Sequence, residues 1–150
     1  MFNKDLAATN MVQKYGMGLG GYLFNWGTPD ANGIKWERST NYGIGWWSSY
    51  PIQFSHGLNE DIGIEPVGTI KAMKKTDNGL MIAGEFYMEH DWYEVLCTLL
   101  EKGSLVWTAA PASHLVKSEN GVWINFPIVT FSVHLASNRN LEETFPEIKS

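Results

Sequence analysis

Residues 67–87 read VGTIKAMKKTDNGLMIAGEFY, and this stretch decides the fold class. Leu80, Ile82, Gly84 and Phe86 alternate with Met81, Ala83, Glu85 and Tyr87, the period of two expected of a strand with one buried face. Val67–Met73 is a second apolar-rich run, and Asp77-Asn78-Gly79 between the two offers the φ > 0 chemistry of a tight turn. The stretch therefore predicts a β-hairpin. Outward from it, Tyr22–Trp26, Pro51–Ser55, Val122–Phe126 and Ile128–Leu135 are further strand candidates. Asp30-Ala31-Asn32-Gly33 and Glu119-Asn120-Gly121 supply more turns.

One helix interrupts the pattern. Trp92, Val95, Leu96, Leu99 and Leu100 fall at i, i+3, i+4, i+7 and i+8, predicting an amphipathic helix over Asp91–Lys102. Asp91 is the expected N-terminal cap or first-turn acid, and Gly103 the C-terminal cap. Cys97 lies off that stripe. Many short strands with one or two helices predict an α+β, β-rich domain, a closed or half-closed antiparallel barrel with the helices packed outside it.

The chain has 150 residues and reads as one domain, 1–150, with a core at about 20–138 and tails at 1–15 and 141–150. Hydrophobic residues make up 44%, which argues against a disordered chain. The formal net charge is −5, and eight of the sixteen acids lie between residues 51 and 100. That balance disfavours sequence-independent nucleic-acid binding, which needs a Lys/Arg surplus. No apolar run approaches the roughly 20 residues that span a bilayer. The single cysteine excludes an internal disulfide framework. Neither a cofactor nor a metal is expected. Gly16–Gly21 matches G-x-G-x-x-G, but a strand-like run follows where a dinucleotide site needs a helix. His56 with Glu60, Asp61 and Glu65 fits no ligand frame. Ser113-His114, and His134 within Phe131-Ser132-Val133-His134, are set aside as Ser/His pairs on sequence adjacency alone. His56, just after a strand and beside a glycine, remains the one histidine placed as a general base would be.

Several segments, read in order, resemble a known family. They are Gly20–Asp30, Ile52-Gln53-Phe54-Ser55-His56-Gly57-Leu58, Pro66-Val67-Gly68-Thr69-Ile70, Asp77–Gly84, the helix running into Trp107, His114-Leu115-Val116, and Trp123–Val129. Together they resemble the prohead maturation proteases of tailed bacteriophages (caudoviruses), serine peptidases related in fold to the herpesvirus assemblin protease. The resemblance implies a herpesvirus-protease-like barrel that cleaves scaffold and major capsid proteins inside an assembling prohead in the host cytoplasm. It implies protein partners, no nucleic acid and no membrane, and leaves a homo-oligomer open. It assigns the general base to His56, followed by Pro66-Val67-Gly68. The family's serine falls on Thr108-Ala109 in Trp107-Thr108-Ala109-Ala110, and its acid falls on Thr130. Neither position has the residue that catalysis needs. Ala109 has no hydroxyl, the β-methyl of Thr108 crowds attack, and Thr130 has no charge for an imidazolium. The resemblance therefore implies a peptidase barrel inactive in this sequence, unless Thr108 or another hydroxyl such as Ser104 or Ser113 substitutes. The alternatives are a non-catalytic structural or assembly protein of the phage head, and an unrelated β-barrel binding module using Trp46, Trp47 and Tyr50 as a platform.

Overall fold

The computed structural model describes residues 10–30, 32–57 and 61–136, with His56 described in its backbone alone. Ala31, Leu58–Glu60 and the expected tail at 141–150 lie outside the described residues. Among the described residues the chain is β-rich with one α-helix. Its strands are β1 (Gln13–Tyr15), β2 (Gly18–Asn25), β3 (Tyr50–Phe54), β4 (Gly68–Lys75), β5 (Gly79–Phe86), β6 (Leu105–Pro111), β7 (Lys117–Glu119), β8 (Val122–Asn125) and β9 (Ile128–Leu135), and the helix α1 is Tyr93–Glu101. Seven strands form one curled half-barrel sheet in the order β1-β2-β5-β4-β3-β9-β6, and β7 with β8 forms a small second sheet.

The two ends of the large sheet are tied together by the chain itself. The Trp107 amide donates to the Asn10 carbonyl (2.8 Å) and the Val12 amide to the Leu105 carbonyl (3.0 Å), so residues 10–12 line the outer edge of β6 just before β1 begins. Trp107 makes the same connection from within. Its indole Nε1–H donates to the Gly20 carbonyl on β2 at 3.0 Å. All neighbouring strands are antiparallel except β3 and β9, which run parallel with Ile52 opposite Phe131 and Phe54 opposite Val133.

The hairpin of the opening stretch forms as β4–β5, but its turn is built differently. Neither Asn78 nor Gly79 adopts positive φ. The Thr76 hydroxyl instead accepts the Asn78 and Gly79 amides at 3.2 and 3.3 Å, closing the turn through a side chain. Glycine is needed at 79 for another reason: a Cβ there would strike the Phe24 carbonyl oxygen of β2. Asn120 (φ 54°) and Gly121 (φ 77°) do form the expected left-handed pair, joining β7 to β8. Gly16–Gly21 leads into β2, so a strand stands where a dinucleotide-binding helix would.

Helix α1 buries most of its expected stripe: Leu96 and Leu100 are in the core and Trp92 and Leu99 pack against it. Val95 is the exception and stands exposed, while Tyr93 and Cys97 pack against the core instead. Asp91 does not cap the helix; Trp92 occupies that position without a side-chain cap. The turn before it is held by His90, whose Nδ1 accepts the Trp92 amide at 3.0 Å. The C-terminus ends as expected, with Gly103 at φ 67° and the Ser104 amide reaching back to the Leu99 carbonyl at 2.9 Å.

An aromatic cluster joins the small sheet to the large one. Phe24 stacks on Trp36 at 4.5 Å, Trp36 meets Phe126 edge-on at 5.6 Å, and Phe126 meets Trp123 at 5.3 Å. Tyr42 is buried against Phe24, and its hydroxyl donates to the Glu37 carbonyl at 2.7 Å. Burial pushes the Tyr42 phenol far above the ordinary tyrosine value near 10; the hydrogen bond with Thr40 opposes the shift in part, and Glu37 adds a smaller upward push. A raised folded-state pKa means that only the unfolded chain releases this proton in mild alkali. Stability should accordingly hold up to about pH 10 and fall above it. Urea midpoints measured at rising pH should show that fall, and Tyr42→Phe should reduce its steepness. An unchanged alkaline slope in Tyr42→Phe would contradict this assignment.

Candidate functional site

The residues that the resemblance singles out lie on or beside β9. This strand has β3 on one side and β6 on the other, so its register orders them. Thr108 on β6 stands opposite Ser132 on β9, and Ser132 stands opposite Gln53 on β3. Ala109 stands opposite Phe131, and Ala110 opposite Thr130. Because successive side chains alternate between faces, Thr108, Ser132, Thr130 and His134 share one face, while Trp107, Ala109, Phe131 and Val133 share the other. The second face is the core: Trp107, Phe131 and Val133 are fully buried.

Ala109 therefore points its methyl into the core, with 1% of its surface exposed. Thr108 points the other way but is also closed to solvent, at 0% exposure, as is Ser132 opposite it. Thr130 is half-buried on the same face, one row from Thr108 and diagonal to it. The structure thus brings Thr108 and Thr130 to one patch of the β6–β9 surface, and leaves Ala109 on the far side of the sheet.

His56 lies in a single 3-10 turn, Ser55–Gly57, that follows directly from β3. Ser55 (φ 51°) and Gly57 (φ 80°) place a left-handed residue on either side of it. A Cβ on Gly57 would come within 3.0 Å of Ile64 Cγ2, so the turn packs closely against the 61–66 segment. His56 lies beyond the end of β3, two strands across the sheet from β6 and three residues along from Gln53, which shares a row with Ser132 and Thr108. Gly68, two residues after Pro66, permits the close β4–β5 approach at this end, since a Cβ there would lie 3.0 Å from Phe86 Cα.

The shared face of Ser132 and His134 is the feature that adjacency reasoning passed over. A spacing of two on a strand puts both side chains on one face, and here that face also carries Thr108. The signal was present in the alternation of Ile128–Leu135. Ser113 and His114, by contrast, are both exposed in a 3-10 turn outside the sheet.

No protein-family model, curated protein or solved structure matches this chain. Among the described residues, no group of three or more His, Cys, Asp or Glu side chains is arranged to hold a metal ion. Asp61, Glu65, Glu89, His90 and Asp91 line a small acidic depression of about 110 Å³. A larger groove of about 680 Å³ runs between α1 and the β1–β2 turn, past Met17, Met88, Tyr93 and Cys97. No helix among the described residues is long and apolar enough to cross a membrane. The aromatic platform forms in part: Trp46 and Trp47 are 52% and 60% exposed, but Tyr50 is buried and gives its hydroxyl to the Gly43 carbonyl at 3.0 Å.

Proposed function

We propose that this chain is a barrel of the prohead-protease type that performs no peptide hydrolysis and acts by binding other proteins during assembly of a tailed-phage head. The observation that carries the loss of hydrolysis is the orientation of Thr108 and Ala109. A serine peptidase must present a hydroxyl to the scissile carbonyl, with a base to take its proton. At the two positions assigned to that nucleophile, one residue is a methyl group in the core and the other is a hydroxyl fully enclosed by protein. Thr130 adds a second loss. In the serine-protease template, a neutral residue in place of the orienting acid lowers kcat by about 10⁴.

Support for the barrel type comes from order and placement. The segments that carry the resemblance fall on consecutive parts of one curled sheet: Gly20–Asn25 on β2, Ile52–Phe54 on β3, Gly68–Ile70 on β4, Gly79–Gly84 on β5 and Ile128–Val129 on β9. The chain is to be incubated with the scaffold and major capsid proteins encoded beside it, and each protein's intact mass and co-elution on size exclusion followed. The expected result is unchanged masses together with a shared elution peak. A capsid protein with a newly processed N-terminus would overturn the loss of hydrolysis, and failure to co-elute with either protein would overturn the assembly role.

A further inference from the structure

The loop between the aromatic cluster and β3 holds two large indoles in solvent, and its backbone is fixed. The Gly43 amide donates to Asn41 Oδ1 at 2.9 Å, the Trp46 amide donates to the Gly43 carbonyl at 3.1 Å, and the buried Tyr50 hydroxyl binds the same carbonyl. Gly43 (φ 73°) and Gly45 (φ 85°) supply the left-handed turns that this path requires. Exposed tryptophan normally costs solubility, so a rigid loop that presents two of them marks a contact surface. Beside the loop, Ile44, Trp47 and Tyr50 face Lys71, Ala72 and Met73 of β4 across a groove of about 200 Å³. That volume accommodates a single apolar side chain and falls below the roughly 300–1,000 Å³ of a small-molecule site.

The rim of this groove is cationic, although the chain as a whole is acidic. Lys71 lines it, paired with Glu85 at 2.8 Å, and Lys74 lies exposed two residues beyond Ala72 on the same strand face, with no ion pair among the described residues. Lysines beside an apolar slot complement an occupant that is apolar at its centre and anionic at its flank.

We propose that the Trp47–Met73 groove and its Lys71–Lys74 rim dock an acidic segment of a partner protein, with one apolar side chain in the groove and carboxylates over the lysines. This inference rests on the reading of the chain as a binding protein, and it supplies the chemistry of that partner. A nucleic acid fits less well, because the groove is too small for a base and sugar together and the net charge of −5 repels a long polyanion.

The test titrates the intact chain with a synthetic acidic hexapeptide bearing one central leucine, read by the indole N–H resonances of Trp46 and Trp47. Saturable shifts that weaken with added salt are expected. Trp47→Ala and Lys71→Glu/Lys74→Glu should each weaken binding at least about tenfold. These positions are exposed, and unchanged urea midpoints will show that the variants fold. The proposal is overturned by equal binding of the all-glutamine analogue, by variants that bind as the native chain does, or by tighter binding of an oligothymidylate of equal charge. It is also overturned by shifts that follow protein concentration without peptide, which would make a second copy the occupant. None of these outcomes depends on whether the chain hydrolyses peptides, so this surface and the loss of hydrolysis fail separately.

Discussion

Trp107→Ala should cost about 3–5 kcal/mol, a large part of the roughly 5–15 kcal/mol that holds a domain of this size together. The indole is fully buried and spans the sheet interior from β6 to β2. Its removal leaves a cavity and takes the Nε1–H donor from the Gly20 carbonyl. The opposite wall has adapted to this ring. Gly21 sits at φ 145°, and a Cβ there would lie 3.0 Å from Nε1 and 3.3 Å from Cδ1. Gly20 and Gly21, the residues of that wall against the indole, carry no side chain to fill the space. Trp107→Phe should recover most of the loss, since it restores the apolar bulk and forfeits one hydrogen bond worth about 1 kcal/mol. Urea unfolding will measure both. A loss below about 1 kcal/mol for Trp107→Ala would mean that the edges of the sheet are held by other contacts.

Gly84→Ala should be comparably severe, although it adds only a methyl group. Gly84 lies mid-strand in β5, between Leu19 on β2 and Ile70 on β4. A Cβ at this position would overlap the Thr69 carbonyl oxygen and come within 2.8 Å of Ile70 Cα. These are backbone atoms in the next strand, so relief requires β4 and β5 to separate beside the irregularity at Ile70–Ala72. A cost of about 3 kcal/mol or more is expected, at the upper end for overpacking. Gly33→Ala is the control. It meets nothing within 4 Å, and its only penalty is a left-handed φ of 81°, worth about 1–2 kcal/mol. Equal losses for the two variants would contradict the close approach at Gly84.

What the sequence revealed follows the range of the physics involved. The β4–β5 hairpin was legible because alternation and a polar turn are local signals. The body and C-terminal end of α1 were legible from periodicity and Gly103, whereas the exposure of Val95 and the packing of Tyr93 and Cys97 were not, because tertiary contacts decide the margin of the buried stripe. Strand β6 went unread. Leu105-Val106-Trp107-Thr108-Ala109 is buried along its whole length, so neither face alternates and no period of two appears. The union of β6 with residues 10–12 is a contact between distant parts of the chain, which no window of sequence displays. The candidate site divides in the same way. That Ala109 has no hydroxyl and Thr130 no charge is plain from residue identity. That Ala109 faces Trp107 and Phe131 in the core, while Thr108, Ser132 and His134 share the opposite face, depends on the β6–β9 register.

The central claim is that this half-barrel presents no reachable nucleophile along β6. A fluorophosphonate probe, which forms a stable adduct only with an activated hydroxyl, tests it on the native chain by intact mass. The expected result is an unmodified mass after prolonged exposure, under conditions that fully label an active serine peptidase run alongside. A stoichiometric adduct mapped to Thr108 or Ser132 would contradict the claim, because those hydroxyls would then have to open to solvent and be activated by a base.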